Sequence, residues 1–483
     1  MITLGIDVGT SGVKAVLVGD DDRVIGHSSQ PLTVSRPHTG WSEQAPEDWW
    51  TATCRGLDEL KRNHAAELAE TAAIGLSGQM HGATLLDAAG IVLRPCMLWN
   101  DGRSDIECAE LERDWPDLHA VTGNLAMPGF TAPKVLWVKK HEPEVFARVA
   151  KVLLPKAYLR YRLSGEYVED MSDASGTLWL DVGRRRWSEA ALAACRLRLD
   201  QMPRLVEGSE VAGALSPELA ARWGLRRVPL IAGGAGDNAA GAVGVGAVHP
   251  GDAFVSLGTS GVLWATTARF APNPARAVHA FCHAVPGTWH QMGVLLSAAA
   301  SLAWWAAVSG RHEPELLGEI DPAATTSPVW FAPYLSGDRT PHNDTRVRGG
   351  FLGLAGDTTR AHLTLAVLEG VAYALKDAQQ ALADSGTVLS EAALIGGGAR
   401  SPLWAQIIAD VLGLPLHQVA ESELGCALGA ARLARMAAGE SIAVARPATR
   451  LRSFTPRPDR VELHARRHAR WQRLYPLARD FAR

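Results

Sequence analysis

The sequence predicts an α/β protein built from two similar domains that face each other across a cleft. The chain has 483 residues, more than a single hydrophobic core usually supports. The pentapeptide Gly-Thr-Ser-Gly-Val occurs at 9–13 and again at 258–262, each time between apolar runs. A repeated turn between strand-like runs favours a duplicated unit. We therefore expect one hairpin in each of two α/β domains.

The first hairpin is predicted at 2–18, where two β-rich runs flank a turn of Gly, Thr and Ser. Segment 393–413 predicts a strand, a triple glycine and a helix, with Ser401 as N-cap and Pro402 in the first turn. Apolar residues at helical spacing, or helix-forming composition, predict further helices. These lie at 187–199, 216–224, 297–308, 359–384 and 458–483.

The composition is that of an ordinary soluble globular chain. Its net charge is −3, with 20% charged and 47% hydrophobic residues, which argues against a polyanion-binding surface and a nucleic-acid partner. The six cysteines lie far apart and form no Cys-x-x-Cys pair, so they indicate neither a disulfide framework nor a zinc site. The first residues predict a strand rather than a signal peptide. We expect a cytoplasmic protein.

One uncharged run, at 292–310, is nearly long enough to span a bilayer. It is rich in Ala and Ser and lacks a basic flank on its N-terminal side. These features favour a helix buried in the core over a membrane span. We therefore expect no membrane partner.

Residues 231–246 consist of glycine, alanine and aliphatic side chains, interrupted only by Asp237 and Asn238. The glycines would let the main chain approach a ligand closely. An uncompensated buried carboxylate is costly, so Asp237 predicts a metal, hydroxyl or amide partner. Asn238 is equally consistent with a cap of the Ala-rich helix that follows and with a substrate contact.

The glycine-rich turns predict a nucleotide site that is not a Walker A loop. The sequence has no Gly-Lys dipeptide, no Gly-x-Ser-x-Gly and no His-Glu-x-x-His. Backbone N–H groups and hydroxyls of the two GTSG turns can bind an anion, as can the helix start after Gly397 and Gly398. Asp7 suits either Mg²⁺ or a turn cap. Lys14 either reaches a phosphate or is an exposed strand lysine.

These motifs resemble the FGGY carbohydrate kinases, which share the duplicated ribonuclease-H-like fold of actin, heat-shock chaperones and hexokinase. The resemblance covers essentially the whole chain and is carried, in order, by IDVGTSGVKAVL, SGQMHG, LWNDGR, GDNAAGAVGVG, SLGTSG and LIGGGARSPLW. It implies an N-terminal domain, 1–226, with the sugar site and the first phosphate hairpin. It also implies a C-terminal domain, 227–483, with the nucleotide site and the catalytic base. Helix 458–483 would pack back on the first domain.

The resemblance also implies the reaction and its residues. ATP would transfer its γ-phosphoryl group to the 5-hydroxyl of D-xylulose in pentose catabolism. This finer similarity is carried by 77–82, 127–134, 153–166, 171–177 and 334–342. Asp237 would be the general base, and Asp7 and Asp237 would hold Mg²⁺. The sugar would contact Gln79, Met80, His81, Trp99, Arg103 and Asn238. The nucleotide would contact Thr10, Ser11, Lys14, Thr259, Gly397, Gly398 and Ser401.

Two other functions remain open at this stage. One is a kinase of the same family that acts on another sugar or polyol, such as ribulose, gluconate or glycerol. The other is a nucleotide-gated binding protein that switches conformation without phosphorylating a small molecule, which would not require Asp237 or His81. Dimers are common among the relatives, so a homodimer is a further expectation.

Overall fold

The computed structural model describes residues 1–321, 323–324, 326–420 and 424–482. Its strands are β1 (Ile2–Val8), β2 (Gly12–Val18), β3 (Val24–Pro31), β4 (Glu43–Gln44), β5 (Thr71–Gly78), β6 (Thr84–Leu86), β7 (Cys96–Met97), β8 (Lys151–Leu153), β9 (Val168–Asp170), β10 (Leu180–Asp181), β11 (Arg186–Trp187), β12 (Arg204–Val206), β13 (Val211–Ala214), β14 (Leu230–Ala232), β15 (Ala235–Gly236), β16 (Ala253–Leu257), β17 (Gly261–Thr267), β18 (His279–Cys282), β19 (Trp289–Leu295), β20 (Trp330–Ala332), β21 (Gly350–Leu352), β22 (Ala392–Ile395), β23 (Leu416–Val419) and β24 (Arg450–Phe454).

The α-helices in the same described residues are α1 (Pro46–Asn63), α2 (Ala65–Ala69), α3 (Asp105–Asp114), α4 (Leu118–Thr122), α5 (Thr131–His141), α6 (Pro143–Ala147), α7 (Pro155–Ser164), α8 (Met171–Ser175), α9 (Glu189–Ala194), α10 (Pro217–Trp223), α11 (Asp237–Val245), α12 (Ala299–Ser309), α13 (Glu313–Gly318), α14 (Arg360–Ala383), α15 (Pro402–Leu412), α16 (Gly425–Ala437), α17 (Pro458–Trp471) and α18 (Leu474–Phe481).

Two sheets of the same topology confirm the predicted duplication. In the first sheet the order β3-β2-β1-β5-β14 combines an antiparallel β1-β2-β3 meander with parallel β5 and β14. In the second sheet β19-β17-β16-β22-β23 repeats this arrangement. Each sheet also carries added edge strands, β13 in the first and β18 and β24 in the second. The two α/β domains are therefore ribonuclease-H-like, as predicted.

The central strands are buried on both faces, which explains their nearly continuous apolar sequences. On one face of the first sheet, Leu4 and Ile6 pack with Trp49 of α1. On the other face, Val16 and Val18 pack with α16, a helix that comes late in the chain. The first sheet is thus covered on one side by a helix that lies, in the chain, between the last two strands of the second sheet.

Helix α16 contacts the first sheet backbone to backbone. A methyl group at Gly5 of β1 would overlap the carbonyl of Ala427, and one at Gly75 of β5 would overlap that of Ala430. The neighbouring helix α11 meets α16 equally closely, since a methyl group at Gly429 would overlap the carbonyl of Ala240. Glycine is required at these positions because no other residue permits such approach.

The segment that carries Asp237 lies on the first sheet. Strands β14 and β15, at 230–236, both pair in parallel with β5, and α11 follows directly from β15. This differs from the predicted start of the second domain at 227. The apolar and glycine-rich composition of the segment gave no sign of which sheet it would join.

Several predicted elements occur with changed limits. The helices expected at 216–224 and 359–384 are α10 and α14. The helix expected at 187–199 is shorter, since α9 ends at Ala194 and Arg196 then takes a left-handed conformation (φ 59°). The apolar run 292–310 divides into the end of β19 and helix α12. Within the described residues, we find no helix that is long and apolar enough to span a membrane.

The C-terminal segment 458–483 forms two helices, α17 and α18, rather than one. Pro476 in the first turn of α18 cannot continue a helix that began upstream, because its ring clashes with a carbonyl four residues earlier. Helix α17 packs on the second half of the molecule. His468 binds Asp377 of α14 at 2.9 Å, and the Trp471 indole donates to the carbonyl of Phe331 in β20 at 2.8 Å. This contradicts the predicted contact with the first domain.

Candidate active site

Asp237 is the first residue of α11, at the carboxyl-end edge of the first sheet. Its Oδ1 accepts hydrogen bonds from the backbone N–H of Asn238 at 2.7 Å and from the Asn238 Nδ2 at 3.0 Å. Burial and the nearby Asp7 carboxylate raise the pKa of Asp237 to about 7. Asn238 therefore orients this carboxylate, and the helix cap position is occupied by Gly236.

Asp7 lies near the end of β1, opposite Ser77 of β5. Its Oδ1 accepts a hydrogen bond from the Ser77 Oγ at 2.8 Å. Burial raises the pKa of Asp7, although the Ser77 hydrogen bond and the charge of Lys14 oppose the increase. The Asp7 carboxylate disfavours ionisation of Asp237, and two such oxygen donors suit a hard divalent cation.

The first GTSG turn is tied to the predicted sugar residues through Thr10. Its hydroxyl donates to the Gln79 Oε1 at 3.0 Å and accepts from the Trp99 indole Nε1 at 3.0 Å. Gln44 holds the same turn, because its Nε2 donates to the carbonyl of Thr10 at 2.8 Å. The structure thus brings Thr10, Gln79 and Trp99 together, while Ser11 at the tip of the turn is exposed.

His81 takes a left-handed backbone conformation (φ 72°), which is uncommon for a residue other than glycine and concentrates at functional sites. Its carbonyl is held by the Thr131 hydroxyl at 3.1 Å and the Lys134 ammonium at 3.0 Å. Its Nδ1 lies 2.8 Å from the carbonyl of Gly176, and burial lowers its pKa to about 3. The imidazole is therefore neutral, with the proton on Nδ1 and Nε2 left as an acceptor.

The glycines before Asp237 do not serve the role that the sequence suggested. A methyl group at Gly233 would overlap the carbonyl of Glu207, and one at Gly234 would overlap that of Leu76. These glycines therefore pack against the protein's own backbone rather than against a ligand. Gly236 packs against the side chain of Met80, whose Cγ would lie 2.8 Å from an added methyl group. Met80 is thus placed directly beside the start of α11.

Arg103 supports the structure of the site, and its guanidinium is not free to bind a sugar. Its guanidinium makes a bidentate pair with Asp101, at 2.8 and 2.6 Å, and contacts Glu43 at 2.8 Å. It also stacks on the ring of Trp41 at 3.5 Å, and only 1% of its side chain is exposed. The positive charge of Arg103 is therefore paired within the protein, and the side chain stabilises the loop that follows Trp99.

The predicted nucleotide residues of the second half lie at the same edge of the second sheet. The exposed Thr259 lies in the turn between β16 and β17, and its carbonyl accepts from Ala298 N–H at 3.0 Å. Gly397 and Gly398 form a single 3₁₀ turn after β22. Ser401 caps α15 by accepting from Trp404 N–H at 3.3 Å, which confirms the predicted cap.

Sequence reasoning missed three residues of this site. Ser77 holds Asp7, Gln44 holds the first turn, and Cys426 of α16 lies 3.4 Å from the carbonyl of Asp237. Burial raises the pKa of the Cys426 thiol, and the carboxylates of Asp7 and Asp237 add to the increase. Ser77 could have been found from the parallel pairing of β1 with β5, whereas nothing local marks Gln44 or Cys426.

Comparison with known proteins agrees with this geometry. Residues 2–244 match the N-terminal domain of the FGGY family of carbohydrate kinases, and residues 253–438 match its C-terminal domain. The chain belongs to the FGGY family. This FGGY chain is 51% identical over 477 residues to the xylulose kinase of Escherichia coli strain K12, covering 98% of both chains. It is 37% identical to the xylulose kinase of Bacillus subtilis strain 168, covering 90% of this chain and 88% of the relative.

Solved structures give the same result for this FGGY chain. A xyloylose kinase from Brucella ovis is 50% identical and superposes with a TM-score of 0.97 over 100% of both chains. The xylulose kinase from Rhodospirillum rubrum is 30% identical, with a TM-score of 0.92 over 100% of both chains. The glycerol kinase of Plasmodium falciparum, at 20% identity and a TM-score of 0.87, shares the fold and covers 99% of this chain and 98% of its own.

Proposed function

We propose that the protein transfers the γ-phosphoryl group of ATP to the 5-hydroxyl of D-xylulose. The main support is the pair of half-buried carboxylates, Asp7 and Asp237, in a chain that is 51% identical to a xylulose kinase over 98% of its length. Asp237 accepts the hydroxyl proton. ATP is the phosphoryl donor expected of a carbohydrate kinase of the FGGY family.

The sugar side of the mechanism uses residues that are already oriented. A sugar hydroxyl is a very weak acid, so Asp237 accepts its proton as the bond to phosphorus forms, at a separation of about 3 Å. Asn238 fixes the carboxylate for this step through its two hydrogen bonds. The neutral His81 offers Nε2 to a second hydroxyl, and Gln79, Met80 and Trp99 border the same position.

The phosphate side depends on charge and alignment rather than on covalent chemistry, because phosphoryl transfer passes through a loose transition state. Backbone N–H groups of the turns at Thr10, Thr259 and Gly397 would bind phosphate oxygens, with Lys14 and Ser401 near the same edge. Mg²⁺ fits the oxygen donor set of Asp7 and Asp237 and would neutralise the developing charge on the transferred group.

A panel of sugars with Mg-ATP tests this proposal. We expect ADP release and a monophosphorylated product with D-xylulose, detected by a coupled assay and by product mass, and only slow ATP hydrolysis without sugar. Preferred turnover of ribulose, gluconate or glycerol would assign a different acceptor within the family. ATP hydrolysis that is indifferent to every acceptor would instead favour a nucleotide-gated switch.

Two structural proposals accompany this function. The domain boundary lies between 245 and 253, since α11 belongs to the first sheet and β16 opens the second. The predicted homodimer remains a prediction, which light scattering of the purified protein would test.

A further inference from the structure

Helix α8 (Met171–Ser175) and the glycine that ends it contact two neighbours of the proposed chemistry, although the reaction has no direct use for the helix. These are Gly236, which precedes the predicted base, and the predicted sugar residue His81. Ser172 Oγ accepts a hydrogen bond from the backbone N–H of Gly236 at 3.1 Å. Gly176, which ends the same helix, accepts the Nδ1–H of His81 at 2.8 Å. One short helix and its C-cap therefore fix both Gly236, the N-cap of α11, and the orientation of the His81 imidazole.

The Ser172 hydroxyl is itself fixed by a buried ionic network. It donates to the Asp170 Oδ2 at 2.6 Å, and the Asp170 Oδ1 lies 2.9 Å from the Lys156 ammonium. Lys156 also contacts Glu169 and lies 3.5 Å from Asp173. All these side chains are 1% exposed or less. A serine whose proton is committed to a buried carboxylate can only accept from Gly236, so the direction of this hydrogen bond is set.

Three acidic side chains that could bind a metal ion meet in this network, but a lysine already serves as their cation. Burial and the neighbouring Glu169 raise the pKa of Asp173 well above its usual value. Lys156 lies within ion-pair distance of all three carboxylates, and Arg160 adds a second positive charge beside them. These fixed cations make the cluster a structural anchor.

A second cation on the same helix holds the other end of the turn. Lys156 and Arg160 lie four residues apart on α7, and one turn of an α-helix places such residues on the same face. Arg160 Nη2 donates to the carbonyls of Gly233 and Ala232, the latter at 3.4 Å. Helix α7 thus fixes the start of the 232–236 turn directly and its end through Asp170 and Ser172.

We propose that Ser172 is a positioning residue for phosphoryl transfer: anchored by Asp170 and Lys156, it fixes Gly236 and so places the Asp237 carboxylate against the acceptor hydroxyl. This rests on the proposed function. A displacement of about 1 Å in a reacting group can cost about 10²-fold in rate. We expect the loss to fall on kcat, because the side chain of Ser172 is fully buried and holds the segment of the base rather than a surface open to substrate.

Ser172→Ala tests this role, with Ser175→Ala as the matched control. Ser175 is a buried serine of the same helix whose Oγ donates to the carbonyl of Met171 at 2.8 Å and accepts from Cys282 N–H at 3.0 Å. We expect Ser172→Ala to lower kcat about 10- to 100-fold while the KM for ATP stays within about twofold. Ser175→Ala should keep kcat within about twofold. Hydrogen exchange of the peptide containing Gly236 should speed up only in Ser172→Ala.

Ser172→Cys keeps nearly the same volume with a weaker hydrogen-bonding group, and it tests the role even if the alanine variant fails to fold. We expect a kcat loss of about three- to tenfold in this variant. A kcat within twofold of wild type in either folded Ser172 variant, or an equal loss in Ser175→Ala, would overturn the positioning role. Wild-type protein that phosphorylates no sugar would overturn the proposed function instead.

Discussion

The two GTSG turns share a sequence and a sheet topology but not a chemical environment. Two residues before the first turn stands Asp7, whereas Ser256 occupies the corresponding place before the second. Thr10 is bonded to Gln79 and Trp99, while Thr259 is exposed and its turn is braced by the start of α12. The duplication therefore kept the turn sequence and the sheet topology, and only the first copy has a carboxylate two residues before the turn and contacts with the proposed sugar residues Gln79 and Trp99.

The two hairpins also differ in register. Val8 pairs with Val13 in the first, whereas Leu257 pairs with Gly261 in the second. A shift of one residue reverses which face a side chain occupies relative to its partner strand. As a result Lys14 lies opposite Asp7, while Val262 lies opposite Ser256. The register of the first hairpin thus places the charged residues Asp7 and Lys14 opposite each other beside the turn.

The largest expected effect tests whether the first sheet carries the chemistry. Asp237→Ala removes the base from the start of α11, and we expect kcat to fall by about 10³-fold or more. ATP affinity, measured by calorimetry in the absence of sugar, should remain largely intact because most of the proposed nucleotide residues lie in the second half. Near-normal transfer in this variant would remove the assignment of Asp237 as base.

A paired substitution compares the equivalent positions of the two copies. Asp7→Asn keeps the shape and the Ser77 hydrogen bond but removes the charge, so kcat should fall about 10²-fold. Ser256→Ala should change kcat by less than about twofold, since a single substitution away from charged groups is usually mild. Equal losses in steady-state assays of the two variants would mean that both copies carry the same chemistry.

The pH dependence of the reaction tests whether Asp237 of the first half is the base. The pKa of Asp237 is about 7 in the free protein, and only its ionised form accepts a proton. We therefore expect kcat/KM for the sugar to decrease below pH 7, approaching tenfold per unit. A profile that stays flat down to pH 5 would contradict a base with this pKa. Asp237→Asn should flatten the profile of whatever activity remains.

Substitution of the two turn threonines should separate the substrates. Thr10→Val removes the hydroxyl that joins Gln79 to Trp99, and we expect the KM for the sugar to rise about five- to tenfold. Thr259→Val should raise the KM for ATP by a few-fold and leave that for the sugar unchanged. Initial rates with each substrate varied in turn would measure both, and the opposite assignment would reverse the roles of the turns.

The smallest expected effect concerns stability. Because the pKa of Asp237 is raised on folding, its ionised form disfavours the folded state, and stability decreases as pH rises from about 4 towards 7. Asp237→Asn should therefore raise the free energy of unfolding at pH 8, by about 1–2 kcal/mol given the partial solvent access of the side chain. The gain should vanish at pH 4, which thermal melts without ligands would show.

The sequence was most informative where a local pattern decides the structure. The glycine-bearing turns predicted both hairpins, and Ser401 followed by Pro402 predicted the start of α15. It was least informative where the partner is distant in the chain. The glycines at 233 and 234 were assigned to a ligand because their backbone partners, Glu207 and Leu76, are visible only after folding.

Arg103 and the network behind Ser172 show the same limit. The motif around Trp99 suggested a free arginine at the pocket, but Glu43 from 60 residues upstream binds it. Ser172 and Gly236 are 64 residues apart, and a serine in a short helix carries no local mark of such a contact. Long-range polar pairs of this kind depend on the assembled fold rather than on any local propensity.

The close contact between α16 and the first sheet means that the first domain depends on a helix from the C-terminal half of the chain. The N-terminal half, expressed alone, would present the bare backbone of Gly5 and Gly75 to water, together with the apolar surface of Val16 and Val18. The segment 425–437, made near the end of synthesis, covers this surface. The first domain is therefore completed last, and two separately produced halves should regain activity only when mixed.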